Sequence, residues 1–135
     1  MTPEQKMLVQ ETFAQIKPIS DQAAGLFYQR LFELDPEVKP LFKGDMTEQG
    51  RMLMQTIGVA VAHLNNLGEI APSIEQLAKR HVDYGVEASH YDTVGKALLW
   101  TLGQGLGENF TPAVKEAWTT LYIILADTMK KAAYN

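Results

Sequence analysis

The chain has 135 residues, 46% apolar and 21% charged, with a formal net charge of −4 and no cysteine. That length suits one domain, residues 1–135, while the acidic balance argues against nucleic acid and the missing cysteine excludes disulfides, thiolate metal sites and cysteine nucleophiles. No signal peptide is visible at Met1–Lys6 and no apolar run approaches the roughly 20 residues of a membrane span, so a cytoplasmic protein is expected.

The elements are helical throughout. Thr2 caps a first helix, with Pro3 at its first position and Gln5 at its third. Val9, Phe13 and Ile16 share one face, and Pro18 stops it. Ser20-Asp21 starts a second helix whose inward stripe is Ala24, Phe27, Tyr28, Leu31 and Leu34. The Tyr28 hydroxyl therefore needs an interior partner, which a neighbouring carbonyl would supply as well as a ligand. Asp35-Pro36-Glu37 opens a short helical piece ending at Phe42, and Lys43-Gly44-Asp45 is a loop.

Asp45 or Thr47 caps a long helix running to about Asn66, with Gln49, Leu53, Ile57, Ala60 and Leu64 on one face. Pro72-Ser73 starts the next, whose stripe is Ile74, Leu77, Ala78 and His81, and Gly85 breaks it. Ser89 caps a further helix with Tyr91, Val94, Leu98, Thr101 and Leu102 inward, ending in the glycine-rich stretch 103–107. That stretch lacks the Lys-Ser/Thr pair and the preceding strand of a phosphate loop. Thr111-Pro112 opens the last helix, with Val114, Ala117, Trp118, Leu121, Leu125 and Thr128 on its face. The expectation is one all-α domain of about six long helices and one or two short ones, crossed rather than bundled.

Four residues are out of place on apolar faces: Tyr28, Gln49, His81 and Tyr91. A histidine where the pattern wants an aliphatic residue is either a satisfied core group or a ligand, and both readings stand on this stretch alone. His63 is expected exposed on its helix, and His90 in the turn before the next. No serine or threonine has an activating motif, no histidine pair has zinc spacing, and no buried carboxylates pair. One inward imidazole, one amide, one buried phenol and much apolar lining make the inventory for a flat apolar cofactor held by a single axial nitrogen, and haem fits it.

The motifs Leu26-Phe27-Tyr28 with Leu31-Phe32, Pro36 to Phe42, Lys79 to Val86, His90-Tyr91 with Val94-Gly95, and Ala117-Trp118 with Tyr122 carry a resemblance along almost the whole chain. The sequence resembles bacterial single-domain haemoglobins and the globin domain of flavohaemoglobins. The resemblance implies a globin fold, crossed helices around a pocket for haem b, with His81 as the proximal iron ligand and its other ring nitrogen donating to a main-chain carbonyl about one turn back. It implies Tyr28 as distal donor to dioxygen, with Gln49 beside it. Leu53 would pack above the iron and Phe42 at the haem edge. Ile57, Leu77, Val86, Tyr91 and Val94 complete the implied cofactor contacts. Lys79 and Arg80 would reach a haem propionate or face solvent.

The function so implied is binding of dioxygen, nitric oxide and carbon monoxide at ferrous haem, with high oxygen affinity. Nitric oxide dioxygenation, with an external electron-donating reductase, is one implied activity; oxygen storage, transport or delivery without catalysis, and gas sensing, are the alternatives. With the chain ending at Asn135, no flavin or nicotinamide domain is expected within it. One position departs from the family. Where relatives carry a glutamate that joins a tyrosine and the proximal histidine, counting from Trp118 reaches Ala133. Tyr91 matches the tyrosine, so the anionic push on His81, and peroxidase-like chemistry with it, is in doubt.

Overall fold

The computed structural model describes residues 1–134. Its helices are α1 (Pro3–Ile16), α2 (Ser20–Leu34), α3 (Met46–Ala62), α4 (Leu67–Asp83), α5 (His90–Leu106) and α6 (Pro112–Tyr134). Short 3-10 turns at Lys17–Ile19, Pro36–Leu41 and Gly107–Asn109 join them, and no strand occurs among the described residues. The all-α expectation stands.

The local signals act through hydrogen bonds. Thr2 and Gln5 form a reciprocal capping box at α1. Asp45, not Thr47, caps α3: its carboxylate accepts from Thr47 N at 2.8 Å. Thr111 Oγ1 accepts from Val114 N at the head of α6. Ser89 makes no side-chain cap for α5; the His90 ring accepts the Glu87 N–H at 3.0 Å instead.

Two boundaries differ from the sequence reading. α3 stops at Ala62 rather than near Asn66, although Leu64 is still buried. α4 begins at Leu67, so Pro72 lies inside it. Proline there removes a bond to the Gly68 carbonyl, but both residues are exposed and water can take over. α5 ends at Leu106, within the glycine-rich stretch as expected, and the two glycines inside its last turn serve packing. A Cβ on Gly105 would lie 2.6 Å from Ile16 Cδ1, and one on Gly103 would lie 3.4 Å from Phe110.

The main core lies where α1, α5 and α6 meet, built from Val9, Ile16, Leu102, Val114, Ala117, Trp118 and Leu121. Fully burying side chains such as Ile16 and Leu121 contributes about 1.5–3 kcal/mol each. The indole Nε1–H of Trp118 donates to Thr12 Oγ1 at 2.8 Å, and that hydroxyl donates on to Leu8 O at 2.6 Å, so no polar group in this pair is stranded. Leu34, expected inward, is 40% exposed at the end of α2. α2 packs on α5 and α3, and α6 packs along α4 and α1, whereas α3 and α4 hardly touch although they are consecutive.

Candidate functional site

Most of the side chains singled out above fall into two groups. Tyr28, Phe42, Leu53 and Val94 share one apolar cluster with Phe27, Leu31 and Leu98. Tyr28 meets Phe27 and Phe42 edge to face, with centroids 5.0 and 5.3 Å apart. Its hydroxyl donates to the Gln49 main-chain carbonyl at 3.3 Å, long for an O–H···O bond. Burial pushes the Tyr28 phenol up to about 12, so it is a neutral donor at any ordinary pH.

Gln49 occupies the first turn of α3 and is half-buried. Its side-chain amide makes no hydrogen bond among the described residues. Ile57 does not join the Tyr28 cluster but borders the main core. With Leu53 and Phe27 it lines a wholly apolar cavity of about 20 Å³, about the room one water needs but without polar partners to hold it.

The second group is at the end of α4. His81 Nδ1–H donates to Leu77 O at 2.8 Å, one turn back, as the resemblance implied. That bond leaves Nε2 as the free ring nitrogen, with its lone pair outward. Burial lowers the His81 pKa; the Leu77 carbonyl opposes this, and the Arg80 cation adds to it. No carboxylate figures among these influences, consistent with alanine at position 133. Val86 N donates to His81 O at 3.0 Å, so Leu77, His81 and Val86 form one hydrogen-bonded unit.

Tyr91 stands in neither group. Its carbonyl accepts from the Tyr122 hydroxyl at 2.6 Å, while its own hydroxyl is buried without a partner among the described residues. Burial, then Tyr134, pushes this phenol up to about 12. His63, expected exposed, is half-buried at the end of α3, its Nδ1 on Val59 O at 2.8 Å. His90 is the first residue of α5.

Two contributors escaped the sequence reading of the site. Phe32 stacks on Tyr28 at 6.2 Å and meets Phe42 at 5.5 Å. Its four-residue spacing from Tyr28 was the available signal. Tyr134, whose hydroxyl donates to Val86 O, had none.

The family model for globins matches residues 25–129. The chain belongs to the globin family. This globin is 31% identical over 129 residues to the flavohemoprotein of Vibrio cholerae, with 93% of the chain aligned. It spans only about a third of that relative's length (33%). A bacterial globin from Campylobacter jejuni superposes with a TM-score of 0.83 at 29% identity, over 96% of this chain and 97% of its own. An engineered carbene transferase from Rhodothermus marinus superposes with a TM-score of 0.88 at 23% identity, over 97% and 92%, and shares the fold.

Family membership implies haem binding, and the residues present suit that group. Among the described residues no three histidine or acidic side chains converge as a metal site. The donor this globin offers is one neutral imidazole nitrogen whose partner nitrogen is fixed by a carbonyl, the usual arrangement for a metal-bound histidine. Phe42, Leu53, Ile57, Leu77, Val86 and Val94 are only half-buried, leaving apolar surface for a large flat ligand to cover. No helix among the described residues is long and apolar enough to cross a membrane.

Proposed function

We propose that this globin holds haem b through His81 and binds dioxygen and other diatomic ligands reversibly, with high oxygen affinity, in the cytoplasm. The observation that carries the reading is the His81 imidazole, whose Nδ1–H is committed to Leu77 O and whose Nε2 is thereby oriented with its lone pair free. Haem, when bound, supplies an iron centre that takes a diatomic ligand and exchanges one electron. The chain supplies the surroundings. Phe42, Leu53, Ile57, Leu77, Val86 and Val94 exclude water and lower the local dielectric, which strengthens any hydrogen bond made inside. Tyr28 turns its hydroxyl from the long Gln49 carbonyl bond toward the ligand and donates to it, and the Gln49 amide is the second donor. Tyr91 lies on the same face of α5 as Val94, one turn earlier, and borders the haem.

The activity proposed for this pocket is nitric oxide dioxygenation, in which nitric oxide, dioxygen and one electron give nitrate. An external reductase returns the electron. Its support is the pairing of a phenol and an amide donor at the distal side, together with the flavohemoprotein relatives. The test is to mix the oxygenated, reduced globin with nitric oxide and measure nitrate. One nitrate per haem is the expected yield, and none overturns the dioxygenase reading. A second reading, oxygen storage or delivery without catalysis, is favoured by one observation: the His81 Nδ1–H is bonded to the neutral Leu77 carbonyl rather than to a carboxylate. Such a ligand donates less electron density than an imidazolate-like one.

A further inference from the structure

The turn after His81 is more tightly built than a surface turn needs to be. Gly85 N donates to Val82 O at 2.9 Å and Val86 N to His81 O at 3.0 Å, the paired bonds of a Schellman cap. Gly85 sits at φ +94°, where a side chain would be strained, and an added Cβ would lie 3.2 Å from Leu41 Cδ2. His81 is thus both the carbonyl on which the cap closes and the imidazole of the proposed iron site.

Helix α6 reaches across to this turn with two phenols. Tyr122 donates to Tyr91 O and Tyr134 donates to Val86 O, so the two bonds tie α6 to the first turn of α5 and to the segment between α4 and α5. Tyr134 is the last residue of α6 and follows directly on Ala133. The Tyr91 hydroxyl is buried without a partner among the described residues.

We infer that Tyr134 is a positioning residue for His81, acting through the main chain of Val86. The inference rests on the haem reading above. The Tyr134 bond anchors the Val86–Glu87 peptide, the adjoining Gly85–Val86 peptide donates its N–H to the His81 carbonyl, and the two bonds together restrain the turn that carries the imidazole. Tyr134 is 40% exposed, so its hydroxyl can be removed without opening the core.

The test is Tyr134→Phe, with Tyr122→Phe as comparison, in the haem-loaded and haem-free protein. Loss of one hydrogen bond should speed amide exchange at Val86 by about 2- to 10-fold in Tyr134→Phe and leave it at the parental rate in Tyr122→Phe. The iron–histidine stretching band of the reduced, unliganded protein should shift or broaden in Tyr134→Phe, while the unfolding midpoint stays close to the parent's. Parental exchange at Val86 overturns the tether. Faster exchange with an unchanged iron–histidine band overturns the positioning role. Should no haem be taken up, the haem reading itself has failed. The His81 Nδ1–H resonance of the haem-free protein then decides, and coincidence with the parent's overturns the inference.

Discussion

Tyr28 donates its hydroxyl to the main-chain carbonyl of Gln49, at 3.3 Å and across 21 residues of sequence. The bond joins α2 to the first turn of α3. A bond this long is worth little, so the hydroxyl is held ready rather than locked. Replacing it by Tyr28→Phe should cost less than about 1 kcal/mol in denaturant unfolding. Dissociation of dioxygen should quicken far more, by roughly 1–3 kcal/mol, or about 5- to 150-fold. A parental off-rate in stopped flow would remove Tyr28 from the ligand's surroundings.

Burial of the phenols has a pH signature. Tyr28 and Tyr91 are pushed up to about 12, chiefly by loss of hydration. The unfolded chain deprotonates its tyrosines near the ordinary value of about 10, before the folded one does. Their contribution to stability is therefore complete below about pH 10 and is lost as pH rises from there toward about 12. Phenolate absorbance should show a late step, and Tyr28→Phe should reduce that step and not the early one.

The α2–α3 crossing depends on a missing side chain. A Cβ on Gly50 would meet Ala24 Cβ at 2.8 Å, and neither atom can rotate away. Gly50→Ala should force the helices apart and destabilise by about 1–3 kcal/mol. Because Gln49 is the preceding residue, oxygen release should quicken as well. A stability equal to the parent's would show that the crossing is looser than described.

Much of this arrangement is legible in sequence. Thr2-Pro3, Asp45 and Thr111-Pro112 mark real helix starts, because capping is a local exchange of hydrogen bonds. His81 is visible as a polar break in an apolar stripe, and its bond to Leu77 O follows from one turn of helix. Other features depend on what is distant in the chain. Pro72 looks like a start signal only because solvent's ability to replace a lost bond is invisible in sequence. The glycines at 103 and 105 mark the end of α5, but their packing against Phe110 and Ile16 is visible only in the fold. Gln49 is conspicuous for its amide, yet its carbonyl makes the observed bond. Tyr134 and Val86 are 48 residues apart, and no periodicity links them.

The core carries a prediction of its own. Trp118 Nε1–H and Thr12 Oγ1 are both buried and bonded at 2.8 Å. Thr12→Val strands the indole N–H in apolar surroundings and should cost about 1–3 kcal/mol in urea unfolding. The oxygen off-rate should not change, since neither residue borders Tyr28. A shifted off-rate would mean that the core and the proposed pocket are coupled.

The most direct measurement is the optical spectrum of the reduced protein after haem addition, before and after carbon monoxide, for the parent and for His81→Ala. The parent is expected to show an intense haem band that sharpens and shifts with carbon monoxide, and His81→Ala to lose haem or bind it with an altered spectrum. A parent that takes up no haem, or a His81→Ala protein whose spectra coincide with the parent's, would contradict His81 as the iron ligand.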